Sequence, residues 1–163
     1  MAEILPQDIA LDAASRLLLA GEPVAIPTET VYGLAADATN GEAVARIYEA
    51  KGRPRFNPLI VHVADVAMAE RFAEFSTLAR RLAGTFWPGP LTMVLPHRTN
   101  SGIHPLVRAG LDTIAVRCPE GFGRDVVGRI GRPLAAPSAN VSGRVTATTA
   151  QAVNAALGDR IRL

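Results

Sequence analysis

The chain has 163 residues, of which 48% are hydrophobic and 20% charged, as is typical of one globular domain whose core needs neither disulfides nor a structural metal. The single cysteine excludes an intramolecular disulfide framework, and no apolar run approaches the roughly 20 residues of a membrane helix. A net charge of +2 is compatible with an anionic partner without requiring one. Because the N-terminus lacks a secretory signal pattern, we expect a single cytoplasmic domain over residues 1–163 with no membrane contact.

The spacing of apolar residues predicts strands that alternate with helices. In chain order, the predicted elements are helix 6–20, strand 23–27, helix 41–50, strand 59–63, helices 65–73 and 76–83, strands 91–95 and 113–116, helix 123–130, strand 133–136 and helix 149–157. Asp65 and Ser76 are suitable N-cap residues for two of these helices. This alternation indicates an α/β fold built of packed layers.

Proline and glycine gather in four segments where predicted strands end or begin. These segments are PTETVYG (27–33), KGRPRFNP (51–58), WPGP (87–90) and APSAN (136–140). In open α/β sheets, ligands bind beyond the carboxyl ends of strands, where loops converge. The polar residues of these segments are therefore candidates for a binding site.

The segment after strand 23–27 contains two hydroxyl groups and a carboxylate, on Thr28, Thr30 and Glu29. Taken alone, these residues favour a polar turn in which the hydroxyls bond to the local backbone. The alternative is a set of hydrogen-bonding groups for a small polar ligand.

The segment 51–58 contains three cations, Lys51, Arg53 and Arg55, between prolines and a glycine that stiffen its backbone. One interpretation is that the cations complement the C-terminal dipole of the preceding helix, which explains Lys51 but not the two arginines beyond the helix end. The other is a loop that binds phosphate. From the residues alone, the two interpretations are about equally favoured.

Three further positions lie at strand ends. His62 is in the strand LIVHV, where a lone histidine is more often a hydrogen-bonded core or edge residue than a ligand. Arg117 directly follows the predicted strand 113–116. Its guanidinium could pair with a carboxylate, either on a ligand or in an ordinary salt bridge. Cys118 has no nearby group that would lower its pKa, so we expect a small buried hydrophobic residue rather than a nucleophile.

The stretch 136–149 has small and hydroxylic residues at a junction between a strand and a helix, where backbone N–H groups can approach an anion. It matches neither the Walker A loop nor the dinucleotide fingerprint, because both glycine patterns are missing. No histidine, cysteine or carboxylate cluster has the spacing of a metal site.

Taken together and in this order, five segments resemble the YrdC/TsaC family of threonylcarbamoyl-adenylate synthases. They are PTETVYGL (27–34), the K-x-R-x-x-x-N-P-L pattern (51–59) that runs into IVHV, WPGPLT (87–92), LDTIAVR (111–117) and APSANVSG (136–143). The resemblance favours phosphate binding as the interpretation of the 51–58 loop. It implies a twisted sheet of mixed parallel and antiparallel strands, with helices packed around a large concave basic cavity.

Members of this family combine L-threonine, bicarbonate or CO2, and ATP with Mg²⁺ into threonylcarbamoyl-AMP and pyrophosphate. By position, the resemblance implies threonine binding by Thr30, His62, Arg117 and Ser138. It implies ATP binding by Lys51, Arg53, Asn57, Thr113, Ser138, Asn140 and Thr148. Of these residues, Lys51 and Arg53 are the candidate catalytic pair, and no residue is expected to bind a metal directly.

The resemblance also implies a downstream tRNA threonylcarbamoyltransferase complex that passes the product to an adenosine beside the anticodon. Family members normally continue with another strand, a G-V-E-S-T-like segment and a later arginine, so we expect this chain to lack the C-terminal part of the family domain. The alternative function is a module that binds tRNA or double-stranded RNA without catalysis. The hydrogenase-maturation proteins that share the fold are a third, less favoured interpretation, because they carry additional modules.

Overall fold

The computed structural model describes all residues, from Met1 to Leu163. The helices are α1 (Gln7–Leu19), α2 (Gly41–Lys51), α3 (Val66–Ala69), α4 (Thr77–Phe86), α5 (Pro105–Arg108), α6 (Phe122–Ile130) and α7 (Ala150–Leu157). The strands are β1 (Val24–Ile26), β2 (Gly33–Asp37), β3 (Ile60–His62), β4 (Met93–Pro96), β5 (Thr113–Arg117) and β6 (Leu134–Ala135). None of the helices combines the length and the apolar character that a membrane span requires.

The six strands form one sheet in the order β1-β2-β6-β3-β5-β4. Only β3 and β5 run parallel to each other, and every other neighbouring pair is antiparallel. In the parallel pair, His62 is in register with Arg117, so the carboxyl ends of both strands meet at one edge of the sheet. The α/β prediction and the mixed sheet implied by the resemblance are both confirmed.

The two faces of the sheet are covered unequally. Helices α2 and α5 pack on one face, where the larger hydrophobic cluster lies. On the other face, α1 packs against β1 and β2, and α6 packs against α1 and β3, around a smaller cluster. Strands β4 and β5 remain uncovered on this second face, where the Val94 side chain is 67% exposed and Thr113 is also exposed. Because side chains alternate along a strand, His62 and Arg117 point to this open face.

Strand β2 and helix α5 were not among the predicted elements. Strand β2 has the sequence GLAAD, and its glycine and alanines have low strand propensity. All five residues are nevertheless buried, because β2 lies between β1 and β6 and is packed on both faces. Helix α5 is a single turn that begins after His104, whose ring nitrogen Nδ1 accepts a hydrogen bond from the Leu106 backbone.

The predicted helix 65–73 is longer than the observed α3, which ends at Ala69. The predicted N-caps are confirmed, since Asp65 accepts from the Met68 backbone and Ser76 from the Ala79 backbone. The helix ends early because residues 72–74 form backbone hydrogen bonds with the end of β4 and the residues that follow it. Ala73 forms a bridge with His97, and backbone hydrogen bonds flank that bridge on both sides.

The buried carboxylate of Asp37 at the end of β2 yields a stability prediction. It accepts hydrogen bonds from the Thr39 backbone and hydroxyl and from Arg132, while its side chain is only 2% exposed. Asp37→Asn places an amide group among these donors, so we expect the free energy of unfolding to fall by about 1–3 kcal/mol. Urea denaturation measures this value.

The matched control is Asp12→Asn, which removes a carboxylate that is 72% exposed and pairs with Arg129 at 2.6 Å. An exposed ion pair contributes about 0–1 kcal/mol, so the control should unfold almost like the wild type. Equal losses in the two variants would contradict the role given to burial at Asp37.

Candidate binding site on the open sheet face

A cavity of about 260 Å³ opens on the uncovered sheet face, beside the carboxyl ends of β3 and β5. Three of the proline- and glycine-rich segments contribute to its wall, together with strand residues. The lining residues are Thr28, Thr30, Val31, Gly33, Arg53, Pro58, Ile60, His62, Arg117, Ala136, Pro137 and Ser138. Five of the predicted site residues thus share one cavity: Thr30, Arg53, His62, Arg117 and Ser138.

Arg117 connects two loops at the end of β5. Its Nε donates to the carbonyl of Gly89 at 3.3 Å, and both Nη1 and Nη2 lie 3.3 Å from the Thr30 hydroxyl. The turn that presents Thr30 is itself fixed, because the Thr28 hydroxyl donates to the Val31 carbonyl and accepts from two backbone N–H groups. The polar turn predicted from the residues is therefore present, and it also lines the cavity.

Arg117 also has a counter-charge. Its Nη2 lies 2.9 Å from a carboxylate oxygen of Glu29, and both side chains are largely buried. The same oxygen accepts a hydrogen bond from the backbone of Glu120. Although burial alone raises the pKa of Glu29, the bonds from Arg117 and from the backbone lower that pKa below its ordinary value. The strand-end salt bridge considered above is thus formed within the protein, with Glu29 as the partner.

His62 lies beside Arg117 and is 2% exposed. Burial, and next the Arg117 cation, lower the pKa of His62 to about 3. The imidazole is therefore neutral throughout the physiological range, with one nitrogen able to donate and the other to accept. Its Nδ1 is buried without a hydrogen-bond partner.

Arg53 is held by the loop in which it lies. Its Nε donates to the Asn57 carbonyl at 3.3 Å and its Nη2 to the Pro58 carbonyl at 3.0 Å. The Tyr48 hydroxyl lies 3.0 Å from the same Asn57 carbonyl, so helix α2 helps to hold this loop. Arg53 has no carboxylate partner, and three of its five N–H groups remain available to a ligand.

Lys51, the only lysine of the chain, is 1% exposed and lies beneath the wall rather than in it. Its ammonium donates to the backbone carbonyls of Ser138 and Asn140, and its own carbonyl accepts from the Ser142 backbone. Burial, and next the Arg53 cation, lower the pKa of Lys51 to about 8. Like Arg53, it pairs with no carboxylate.

Four other predicted site residues do not line the cavity. The Asn140 amide nitrogen donates to the carbonyls of Val141 and Arg144, while its oxygen is buried without a partner. Asn57 contributes its carbonyl to the bonds that hold Arg53. Thr113 is exposed at the opposite end of β5 from Arg117, and Thr148 is exposed before α7. Their assignment to ATP stays a prediction.

Cys118, next to Arg117, is buried, and burial raises the pKa of its thiol. The expectation of a small buried residue is confirmed, and a thiolate nucleophile is disfavoured at neutral pH. No group of three histidine, cysteine or carboxylate side chains is arranged to hold a metal ion.

The cavity is divided by charge. Arg117 is neutralised by Glu29, whereas Lys51 and Arg53 are cations without counter-charges on the protein. A polyanion such as a phosphate chain suits Arg53, which lines the cavity, and Lys51 adds positive charge from beneath the wall. The neutralised part, with hydroxyl, imidazole and guanidinium groups, suits a smaller polar ligand with a carboxylate.

The chain is similar to known proteins in both sequence and fold. The family model Sua5_yciO_yrdC, described as "Telomere recombination", matches residues 16–163. A threonylcarbamoyl-AMP synthase of Bacillus subtilis is 45% identical over 98% of this chain and 46% of its own length. Another from Pyrococcus abyssi is 48% identical over 86% of this chain and 41% of its own length.

Among solved structures, that of P. abyssi Sua5 complexed with L-threonine superposes with a TM-score of 0.91 at 42% identity. It covers 99% of this chain, and the chain covers 47% of it. The chain thus spans less than half the length of these relatives.

The buried ammonium of Lys51 yields a prediction about stability and pH. Below pH 8, both the folded and the unfolded chain hold its proton. Between about 8 and 10.5, the unfolded chain keeps the proton and the folded chain loses it. The free energy of unfolding of the wild type should therefore rise with pH in this window, relative to Lys51→Met, by about 1–3 kcal/mol.

Denaturant unfolding from about pH 7.5 to about pH 11, a range that spans both pKa values, measures the difference between the two proteins. Lys51→Met also leaves two carbonyls unpaired, but that loss is a constant offset and does not vary with pH. Parallel stability curves for the two proteins would contradict the lowered pKa.

Proposed function

The chain belongs to the Sua5/YciO/YrdC family, and on this basis we propose that it makes threonylcarbamoyl-AMP from L-threonine, bicarbonate or CO2, and ATP, releasing pyrophosphate. The observation that carries the proposal is the cavity that holds Arg53 together with Thr30, His62, Arg117 and Ser138. The names of the similar proteins favour this catalytic function over a non-catalytic RNA-binding module.

In the proposed first step, the neutral amine of threonine attacks the carbon of CO2 and loses a proton to give a carbamate. Arg117 would hold the threonine carboxylate, since a guanidinium offers paired N–H donors to its oxygens. Thr30, His62 and Ser138 would bind the rest of the amino acid through hydroxyl and imidazole groups. A neutral His62 suits this role, because it adds no cation that would repel an ammonium group.

In the second step, a carbamate oxygen attacks the α-phosphorus of ATP, and the bond to the departing pyrophosphate breaks. Negative charge accumulates on the phosphate oxygens, so fixed cations stabilise the transition state more than the ground state. Arg53 would supply its free N–H groups, and Lys51 a buried positive charge. Mg²⁺ would arrive with the triphosphate as part of the substrate. No covalent protein nucleophile is needed.

The remaining assignments concern ATP and the later steps. We propose that Asn57, Thr113, Asn140 and Thr148 contribute to the ATP site through side-chain or backbone groups, with Ser138 between both substrates. The product would pass to a tRNA threonylcarbamoyltransferase complex in the cytoplasm, where ATP and tRNA are available. Direct binding of tRNA or double-stranded RNA by this chain stays a prediction.

The direct test is pyrophosphate release by the purified chain with ATP, Mg²⁺ and bicarbonate, measured with and without L-threonine. The proposal expects release that requires both threonine and bicarbonate. Release that is independent of threonine, or RNA binding with no nucleotide turnover, would contradict it.

Arg53→Ala should lower kcat/KM for ATP at least about 100-fold, because it removes a fixed cation from the developing phosphate charge. Arg55→Ala is the matched control, since Arg55 is exposed in the same loop and does not line the cavity. We expect the control to keep activity close to that of the wild type. Circular dichroism checks that both variants are folded, and near-normal turnover by folded Arg53→Ala would refute the assignment.

A further inference from the structure

Glu29 is the one carboxylate bonded to a cation of the cavity, and the mechanism above gives it no role. It meets Arg117 at 2.9 Å, which is shorter than any of the other three contacts that this guanidinium makes. It is also held from a second direction, by the backbone N–H of Glu120 at 3.3 Å. Glu29 thus links the turn that presents Thr30, of which it is a part, to the end of β5.

The position of Glu29 relative to the cavity decides what it can do. Arg117 and Thr30 line the cavity, but Glu29 does not. A ligand in the cavity therefore contacts the Arg117 guanidinium, and the Glu29 side chain is not among the groups that line its site. Glu29 thus acts on a ligand through Arg117 rather than by contact.

The hydrogen-bond donors of Arg117 also indicate that Glu29 acts through the guanidinium. Of its five N–H groups, one bonds to Gly89, one to Glu29 and two to Thr30, which leaves one on Nη1. The two bonds to Thr30 are 3.3 Å long, as is the bond to Gly89, and only Thr30 among these partners lines the cavity. A ligand carboxylate can take over these donors while Gly89 and Glu29 keep the guanidinium plane in place.

We propose that Glu29 is a positioning residue, which fixes the guanidinium of Arg117 in the orientation that receives the carboxylate of the amino acid substrate. The inference deepens the proposed function and rests on it for the identity of the substrate. The hydrogen bonds of Glu29 carry this positioning role, in addition to the charge compensation that Glu29 gives to the buried Arg117. The substitution Glu29→Gln keeps an oxygen acceptor for Arg117 and Glu120, whereas Glu29→Ala keeps none.

The experiment compares Glu29→Ala, Glu29→Gln and a matched control, Glu120→Ala, which removes an exposed carboxylate nearby but keeps the Glu120 backbone N–H. Calorimetry measures the Kd of L-threonine and, separately, of a non-hydrolysable ATP analogue. Glu29→Ala should weaken threonine binding at least about tenfold. Glu29→Gln and Glu120→Ala should stay within about threefold of the wild type, and the Kd of the analogue should not change in any variant.

A second readout is independent of substrate. In ¹⁵N spectra, the Arg117 Nε–H signal, assigned by its loss in Arg117→Lys, should be protected from exchange in the wild type and in Glu29→Gln. It should lose protection in Glu29→Ala. Unchanged threonine binding and an unchanged signal in Glu29→Ala would overturn the inference.

Equal damage by Glu29→Gln and Glu29→Ala would also overturn it, because the charge would then be what matters. If the wild-type chain binds no threonine, the proposed function fails, and the Arg117 signal alone decides whether Glu29 positions the guanidinium.

Discussion

The guanidinium of Arg117 is the interaction on which the geometry of the site depends. It lies at the end of β5, and it bonds to two loops, through Gly89 in one and through Glu29 and Thr30 in the other. Because it is largely buried, its charge needs a partner, and Glu29 supplies one within the protein. The same bonds that satisfy the charge also link the two loops beside the cavity.

On the other side of the site, the cations have no counter-charge on the protein. Lys51 and Arg53 are held by backbone carbonyls, which satisfy hydrogen bonds without cancelling charge. The protein thereby keeps two fixed cations without counter-ions next to a neutralised one. This contrast is the basis for proposing a phosphate chain beside Arg53 and Lys51 and a carboxylate at Arg117.

The sequence allowed much of this to be predicted, because the proline- and glycine-rich segments mark the loops that line the cavity. Five of the predicted site residues line it together.

Three features of the structure could not be predicted from the sequence, for physical reasons. Strand β2 is made of small residues that form a strand only through burial on both faces. The pairing of Glu29 with Arg117 joins residues that are far apart along the chain. Lys51 ends a helix, and no pattern indicates that its ammonium turns inward to bond to the carbonyls of Ser138 and Asn140.

The most direct measurement is a calorimetric titration of L-threonine into the chain, alone and with a saturating non-hydrolysable ATP analogue and Mg²⁺. If the two parts of the cavity accept different ligands side by side, threonine binds in both cases, with equal or higher affinity when the analogue is present. If the analogue abolishes threonine binding, both ligands compete for the same cations, and the division of the cavity by charge is wrong.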